Sequence, residues 1–200
     1  MKSRAFLTIF AVLFVFSSPA LFAENKFVGA NKCKACHKKK KQGEQFKIWS
    51  ESKHAQAFQS LSKPGAKKLA AKVGVSGDPT KAKACLICHT ASQYDNQGQA
   101  RAANMFGKKY KATEGVQCED CHAAGEKYWK KKVMKKITKE GGGKKSPTAK
   151  NTGLVIPDKK DCQRCHIAET KIGGVVYKNP SFKDFDVDKR LAEIAHPVPE

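Results

Sequence analysis

The chain opens on an apolar run and afterwards carries apolar positions only in short, spaced sets. Phe6 to Phe16 is apolar apart from Thr8, with Lys2 and Arg4 before it and Ser17-Ser18-Pro19-Ala20 after it. This pattern predicts a secretory leader over residues 1–23, cleaved after Ala20 or Ala23. The run is shorter than the roughly 18 residues of a permanent span, so the mature chain is not expected to hold a stable membrane span. Residues 24–200 are long enough for one domain. Within them Phe46, Trp49, Ala57, Phe58 and Leu61 fall near helical spacing and predict a helix over 44–61, which carries His54. Pro64-Gly65 breaks it, 66–73 restarts it, and 74–79 is rich in turn residues. Residues 90–113 are polar and show no usable period. Trp129, Val133 and Ile137, four apart, predict a second helix over 126–139, ended by Gly141-Gly142-Gly143. Residues 146–157 read as a surface loop, and 173–185 as a loop with a short extended piece at 175–177. A last helix is expected over 188–195, with His196 at its end and Pro197 stopping it. The expected fold class is mainly α.

The apolar positions are too few for a large core. Hydrophobic residues make up 40% of the chain even with the leader counted, so another source of apolar bulk is needed. The cysteines point to one. Cys33, Cys36 and His37 form a C-x-x-C-H unit, and the pattern returns at Cys85, Cys88 and His89, at Cys118, Cys121 and His122, and at Cys162, Cys165 and His166. The four units use all eight cysteines and four of the six histidines. A single C-x-x-C fits a redox dithiol or a zinc knuckle. Four disulfides or two zinc sites would also use eight cysteines, but neither explains a histidine after every pair. Two thiols three positions apart can each add to one vinyl group of a single porphyrin, and the following imidazole can bind its iron. Four covalent haem c groups are therefore expected. The architecture expected is a small multihaem cytochrome c, a thin helical shell around four haems.

Counting ligands makes the four units unequal. Four irons take up to eight axial ligands, and the only histidines outside the motifs are His54 and His196. Scarcity marks both as candidate iron ligands, so at most two haems can be bis-histidine within one chain. The remaining methionines after the leader are Met105 and Met134. Met134, on the helix just after the third motif, is the better candidate thioether ligand. Packing against a porphyrin is its alternative role.

Charge narrows the partners. The chain has 39 Lys and Arg against 18 Asp and Glu, a net charge of +21, which falls to +19 when Lys2 and Arg4 leave with the leader. Lysines run together at 38–41, 130–132, 135–136 and 144–145. Such a surface attracts redox proteins with acidic docking faces and speeds encounter at low salt. Solubility alone is the competing reading. No nucleic-acid recognition module is visible. Haem c attachment outside the bacterial cytoplasm agrees with the leader, and both place the protein in the periplasm.

Several of these segments resemble the tetrahaem cytochrome c-554 family. They are Lys32-Cys33-Lys34-Ala35-Cys36-His37, Trp49 followed by Lys53-His54-Ala55-Gln56-Ala57, Gly115-Val116-Gln117-Cys118-Glu119-Asp120-Cys121-His122, and the final helix ending in His196. The resemblance implies a mainly helical fold with haems in close stacked and perpendicular pairs. It implies that His54 lies opposite His166 on the fourth haem and His196 opposite His122 on the third. The haem of His89 would lack a protein sixth ligand. The family supplies the first haem with a histidine from the segment after the third motif, but residues 123–140 here contain none. Met134 is the nearest replacement opposite His37.

Electron transfer along closely packed haems is the expected function, with the protein supplying ligands, spacing and docking charge. Two other readings remain. One is turnover of a small nitrogen or sulfur species at an open haem, although no C-x-x-C-K unit is present. The other is a filament in which neighbouring chains donate the missing ligands.

Overall fold

The computed structural model describes residues 25–172, 174–182 and 185–196. The predicted leader and Pro197 lie outside them. Among the described residues the chain forms ten mostly short α-helices and one two-stranded hairpin. The helices are α1 (Ala30–His37), α2 (Gln45–Glu51), α3 (Ala57–Ser60), α4 (Pro64–Lys72), α5 (Lys83–His89), α6 (Cys118–His122), α7 (Lys131–Lys139), α8 (Pro147–Thr152), α9 (Lys159–Gln163) and α10 (Val187–Ile194). The mainly α expectation holds. No helix among the described residues is long and apolar enough to cross a membrane.

The protein core is small. Tyr128, Ile137 and Ala149 form a buried cluster, with Val133, Met134 and Leu154 packed against it. A second centre is aromatic: Phe27 stacks on Phe106 at 5.7 Å, and Phe106 lies 4.5 Å from Tyr110. The extended segment 26–29 ties these parts together. Phe27 donates its amide to the Met105 carbonyl (2.8 Å) and accepts from Gly107 (2.8 Å), while the Glu126 amide donates to the Lys26 carbonyl (3.1 Å).

Local structure departs from the periodicity in instructive places. The helix expected over 44–61 is two helices, α2 and α3, separated at Ser52, whose backbone is extended (ψ 161°). Ser52 caps the end of α2 by donating its hydroxyl and its amide to the Trp49 carbonyl. His54 therefore sits in a turn between helices. The second expected helix starts at Lys131 rather than 126, because 125–130 is used to dock Tyr128 and Trp129. The loop expected over 146–157 holds α8, begun by a Ser146 side chain that accepts from the Ala149 amide and by Pro147 in the first turn, and closed by Gly153 at φ 80°. The extended piece near 175 is real and paired: β2 (Val175–Lys178) lies antiparallel to β1 (Glu169–Ile172), with Glu169 opposite Lys178.

Candidate haem centres

Three of the four motifs are wholly helical: the first on α1, the second on α5 and the third on α6. The fourth begins on α9 and finishes in the turn after it. On a helix, positions i, i+3 and i+4 share a face, so both thiols and the imidazole of a unit point the same way. None of the eight cysteines pairs with another in a disulfide. The motifs also meet one another. The sulfurs of Cys33 and Cys118 lie close together, as do those of Cys88 and Cys165, and Cys121 lies within electrostatic reach of Cys162. These contacts link the first unit to the third, the third to the fourth and the fourth to the second.

The histidines fall into facing pairs. His54 and His166 have ring centres 5.9 Å apart, and so do His122 and His196. A metal sandwiched between two imidazoles needs about 2 Å to each nitrogen. With the ring radius added, the centres must lie about 6 Å apart. Both gaps match, so the residues present fit an axially ligated haem iron. Burial pushes all four of these imidazoles down from their ordinary value, and each pair's mutual repulsion adds to the shift of His54 and His196. The shift favours the neutral form, the one that binds metal. His37 approaches the His122–His196 pair closely enough to act on both electrostatically.

Second partners fix the imidazoles. His37 Nδ1 lies 3.1 Å from Gln45 Oε1, His89 Nδ1 2.6 Å from the Ala57 carbonyl, and His122 Nδ1 2.9 Å from the Val155 carbonyl. Donating from Nδ1 leaves Nε2 as the metal-binding nitrogen. The His166 ring is instead covered by Phe185, stacked at 4.1 Å and 11°. Sequence reading missed Gln45, Val155 and Phe185, because a carbonyl or a stacking ring carries no motif.

The placement of His54 has a cause in the segment that enters the third motif. The Trp49 indole donates to the Val116 carbonyl (2.7 Å), and the Val116 amide donates to the His54 carbonyl (2.9 Å). Gly115, at φ 76°, allows the approach, since a Cβ there would lie 2.5 Å from the His54 oxygen. Trp49 and Gly115 together thus hold the His54 segment in place.

The two residues inside the third motif act as clamps. Glu119 is buried (2% exposed) and accepts from the amides of Val28 (2.8 Å), Gly29 (2.7 Å) and Gly125 (2.6 Å). Asp120 accepts from the Ser92 hydroxyl (2.7 Å) beside the second motif and from the Gln117 amide (2.6 Å). The Tyr128 hydroxyl donates to the His122 carbonyl (3.0 Å). Burial pushes the Glu119 carboxyl above its ordinary value of 4.5, against the downward pull of the three amides. The native state thus holds this proton to higher pH than the unfolded chain does. Its stabilising effect is complete below 4.5 and is lost as pH rises through the elevated native value. Glu119→Gln turns an NH2 group toward backbone amides that need an acceptor, which should cost about 2 kcal/mol. Denaturant unfolding of the haem-loaded protein across this pH range checks it. Unchanged stability with unchanged pH dependence would remove Glu119 from the fold's supports.

Met134 packs with Val133 and Leu154 against Tyr128, Ile137 and Ala149. Met105 holds the 26–29 segment through its carbonyl rather than its sulfur.

One family model, described as cytochrome c554 and c-prime, matches residues 32–123 and again 117–188. No curated protein and no solved structure matches the chain. The two matched stretches meet at the third motif and together take in all four C-x-x-C-H units, Trp49 and His54. The chain belongs to the cytochrome c554 and c-prime family.

Proposed function

We propose that the chain is an exported, periplasmic carrier that moves electrons between redox proteins through four covalent haems. Family membership implies electron transfer by covalently bound haem c and the existence of redox partners. The number four, the ligands and the compartment are the further reading. Residues 1–23 act as the leader and 24–200 as the haem-bearing domain. The eight motif cysteines form the thioethers, and His37, His89, His122 and His166 bind the four irons from one side. His54 serves opposite His166, and His196 opposite His122. Met134 is the candidate opposite His37.

The observation that carries this reading is the matched pair of gaps. Two histidines from distant parts of the chain, at 54 and 196, each face a motif histidine with 5.9 Å between ring centres. Bound haem supplies the reversible one-electron chemistry. The chain's own residues do the rest: imidazoles hold the irons, Nδ1 partners fix their orientation, and the closeness of the motif sulfurs brings the units together, first to third, third to fourth and fourth to second. The first motif stands at one end of these links, joined through the third.

Haem content and electron paramagnetic resonance of the oxidised protein, with a redox titration, test the proposal. Four haems per chain are expected, with at least two low-spin bis-histidine signals and at least one high-spin ferric signal. Fewer than four covalent haems, or four bis-histidine haems in a monomer, would overturn the assignment. Met134→Ala is expected to lower the potential of the first haem or turn it high-spin. Unchanged spectra would leave Met134 as a packing residue only.

A further inference from the structure

We propose that the lysine face of α7 is the docking surface for an acidic redox protein, at the first-motif end of the haem order. The proposal rests on the electron-carrier reading and gives that reading an address. Helix α7 is nine residues long, and Lys131, Lys132, Lys135, Lys136 and Lys139 are all exposed on it. At 3.6 residues per turn they share one side. Val133, Met134 and Ile137 take the other and pack against the buried cluster.

This arrangement works against the helix itself. Residues 131 and 135, 132 and 136, and 135 and 139 are like-charged pairs four apart, which destabilise a helix. Lys131 and Lys132 stand at the end where the helix dipole is already positive, and the first turn holds no acidic residue. Among the described residues only Lys136 of this set makes an ion pair, with Glu140 at 3.8 Å. Solubility alone does not require such crowding, because the same lysines spread over the surface would serve it. A face that repels itself in the free protein is relieved by an external partner of opposite charge.

The location is as informative as the charge. The residues leading into α7 rest on the first and third motifs. Tyr128 bonds to the His122 carbonyl and lies within electrostatic reach of Cys33 and Cys118. Lys32, next to Cys33, places its Nζ 4.5 Å above the Trp129 ring. The lysine face therefore springs from the wall of the first and third units, at one end of the thiol order.

A protein fits this face better than a bilayer. An interfacial helix needs apolar side chains to enter the lipid, and those of α7 are turned inward. What remains outside is a compact set of cations, suited to a ring of carboxylates on a redox protein.

The test uses the haem-loaded chain and reduced flavodoxin, a small acidic redox protein, as the electron donor in stopped flow. K131E/K132E/K135E should slow reduction about tenfold or more at low salt and flatten its salt dependence. K131Q/K132Q/K135Q should slow it less, in the same direction. K67E/K68E/K72E on α4 makes the same charge change elsewhere and should alter the rate by less than about twofold. Circular dichroism and haem content must match the wild type in every variant compared, and the glutamine set replaces the glutamate set if the latter misfolds. Equal slowing by the α7 and α4 variants would overturn the proposal in favour of net charge alone. Binding to phosphatidylglycerol vesicles that the α7 variant abolishes, with its flavodoxin rate unchanged, would overturn it in favour of a lipid surface. Wild-type haems that dithionite reduces and flavodoxin does not would sink the electron-carrier reading itself, a result distinct from either.

Discussion

Replacing His54 by alanine is expected to convert one haem from low-spin to high-spin while the other haem signals stay in place. The ring of His54 lies 5.9 Å from that of His166, and among the described residues no other histidine ring is paired with His166. Removing it leaves the iron of the fourth unit with one protein ligand. Loss of a neutral imidazole donor also raises the potential, by roughly 0.1–0.2 V within the span of about 0.8 V that axial ligands command. Because the fourth unit stands between the third and the second in the thiol order, the change falls in the middle of the proposed path. Resonance spectra and a redox titration of the variant check both effects. His54→Ala protein with four unchanged haem signals would remove His54 from the iron.

Gly115→Ala should destabilise the fold strongly while leaving every ligand in place. Gly115 has φ 76°, and its Cβ would meet the His54 carbonyl at 2.5 Å and the Ala55 carbonyl at 3.0 Å. Backbone strain of this kind costs on the order of 1–3 kcal/mol. The displaced Val116 also forfeits its bonds to His54 and Trp49, so a total of about 3 kcal/mol or more is expected. Gly142→Ala is the control. Its φ is 84°, but no atom lies within 4 Å of the added Cβ, so only the backbone penalty of about 1 kcal/mol applies. Thermal or denaturant unfolding of the two haem-loaded variants compares them. Equal losses would show that the contact with His54 carries no weight. A spectral change at the fourth haem in Gly115→Ala alone would show that this contact also aims the imidazole.

The parts of the candidate site legible in the sequence are those in which covalent spacing does the chemistry. Two thiols and an imidazole at i, i+3 and i+4 need no distant residue to share a helix face, so C-x-x-C-H was readable four times over. His54 and His196 were legible by scarcity, since any histidine outside the motifs had to be weighed as a ligand. Their partners were not readable from spacing, because a separation of 112 residues between His54 and His166 says nothing about facing rings. Resemblance to the family implied those partners, and the structure sets the ring centres of each pair 5.9 Å apart.

Helix boundaries were legible where apolar spacing set them and misread where hydrogen bonds did. The break at Ser52 follows from a capping hydroxyl and from a His54 carbonyl committed to Val116. The helix α8 was hidden in a polar stretch whose Ser-Pro start and glycine end were its only signals. The strand β1 carries too few residues for a period to be seen. Glu119 and Asp120 stand between the two cysteines of the third motif. Their importance comes from the distant amides of Val28 and Gly29, the nearby amide of Gly125 and the Ser92 hydroxyl, which only the folded chain brings to them.

The sequence by itself determined the cofactor chemistry, the mainly helical class and the surplus of positive charge, because each is a local or summed property of residue types. The tertiary structure decided which histidines face each other, which motifs touch, and which lysines share one exposed face beside the first unit. Those are relations between residues far apart in the chain. They are set by a few buried hydrogen bonds and close backbone approaches, and no local pattern encodes them.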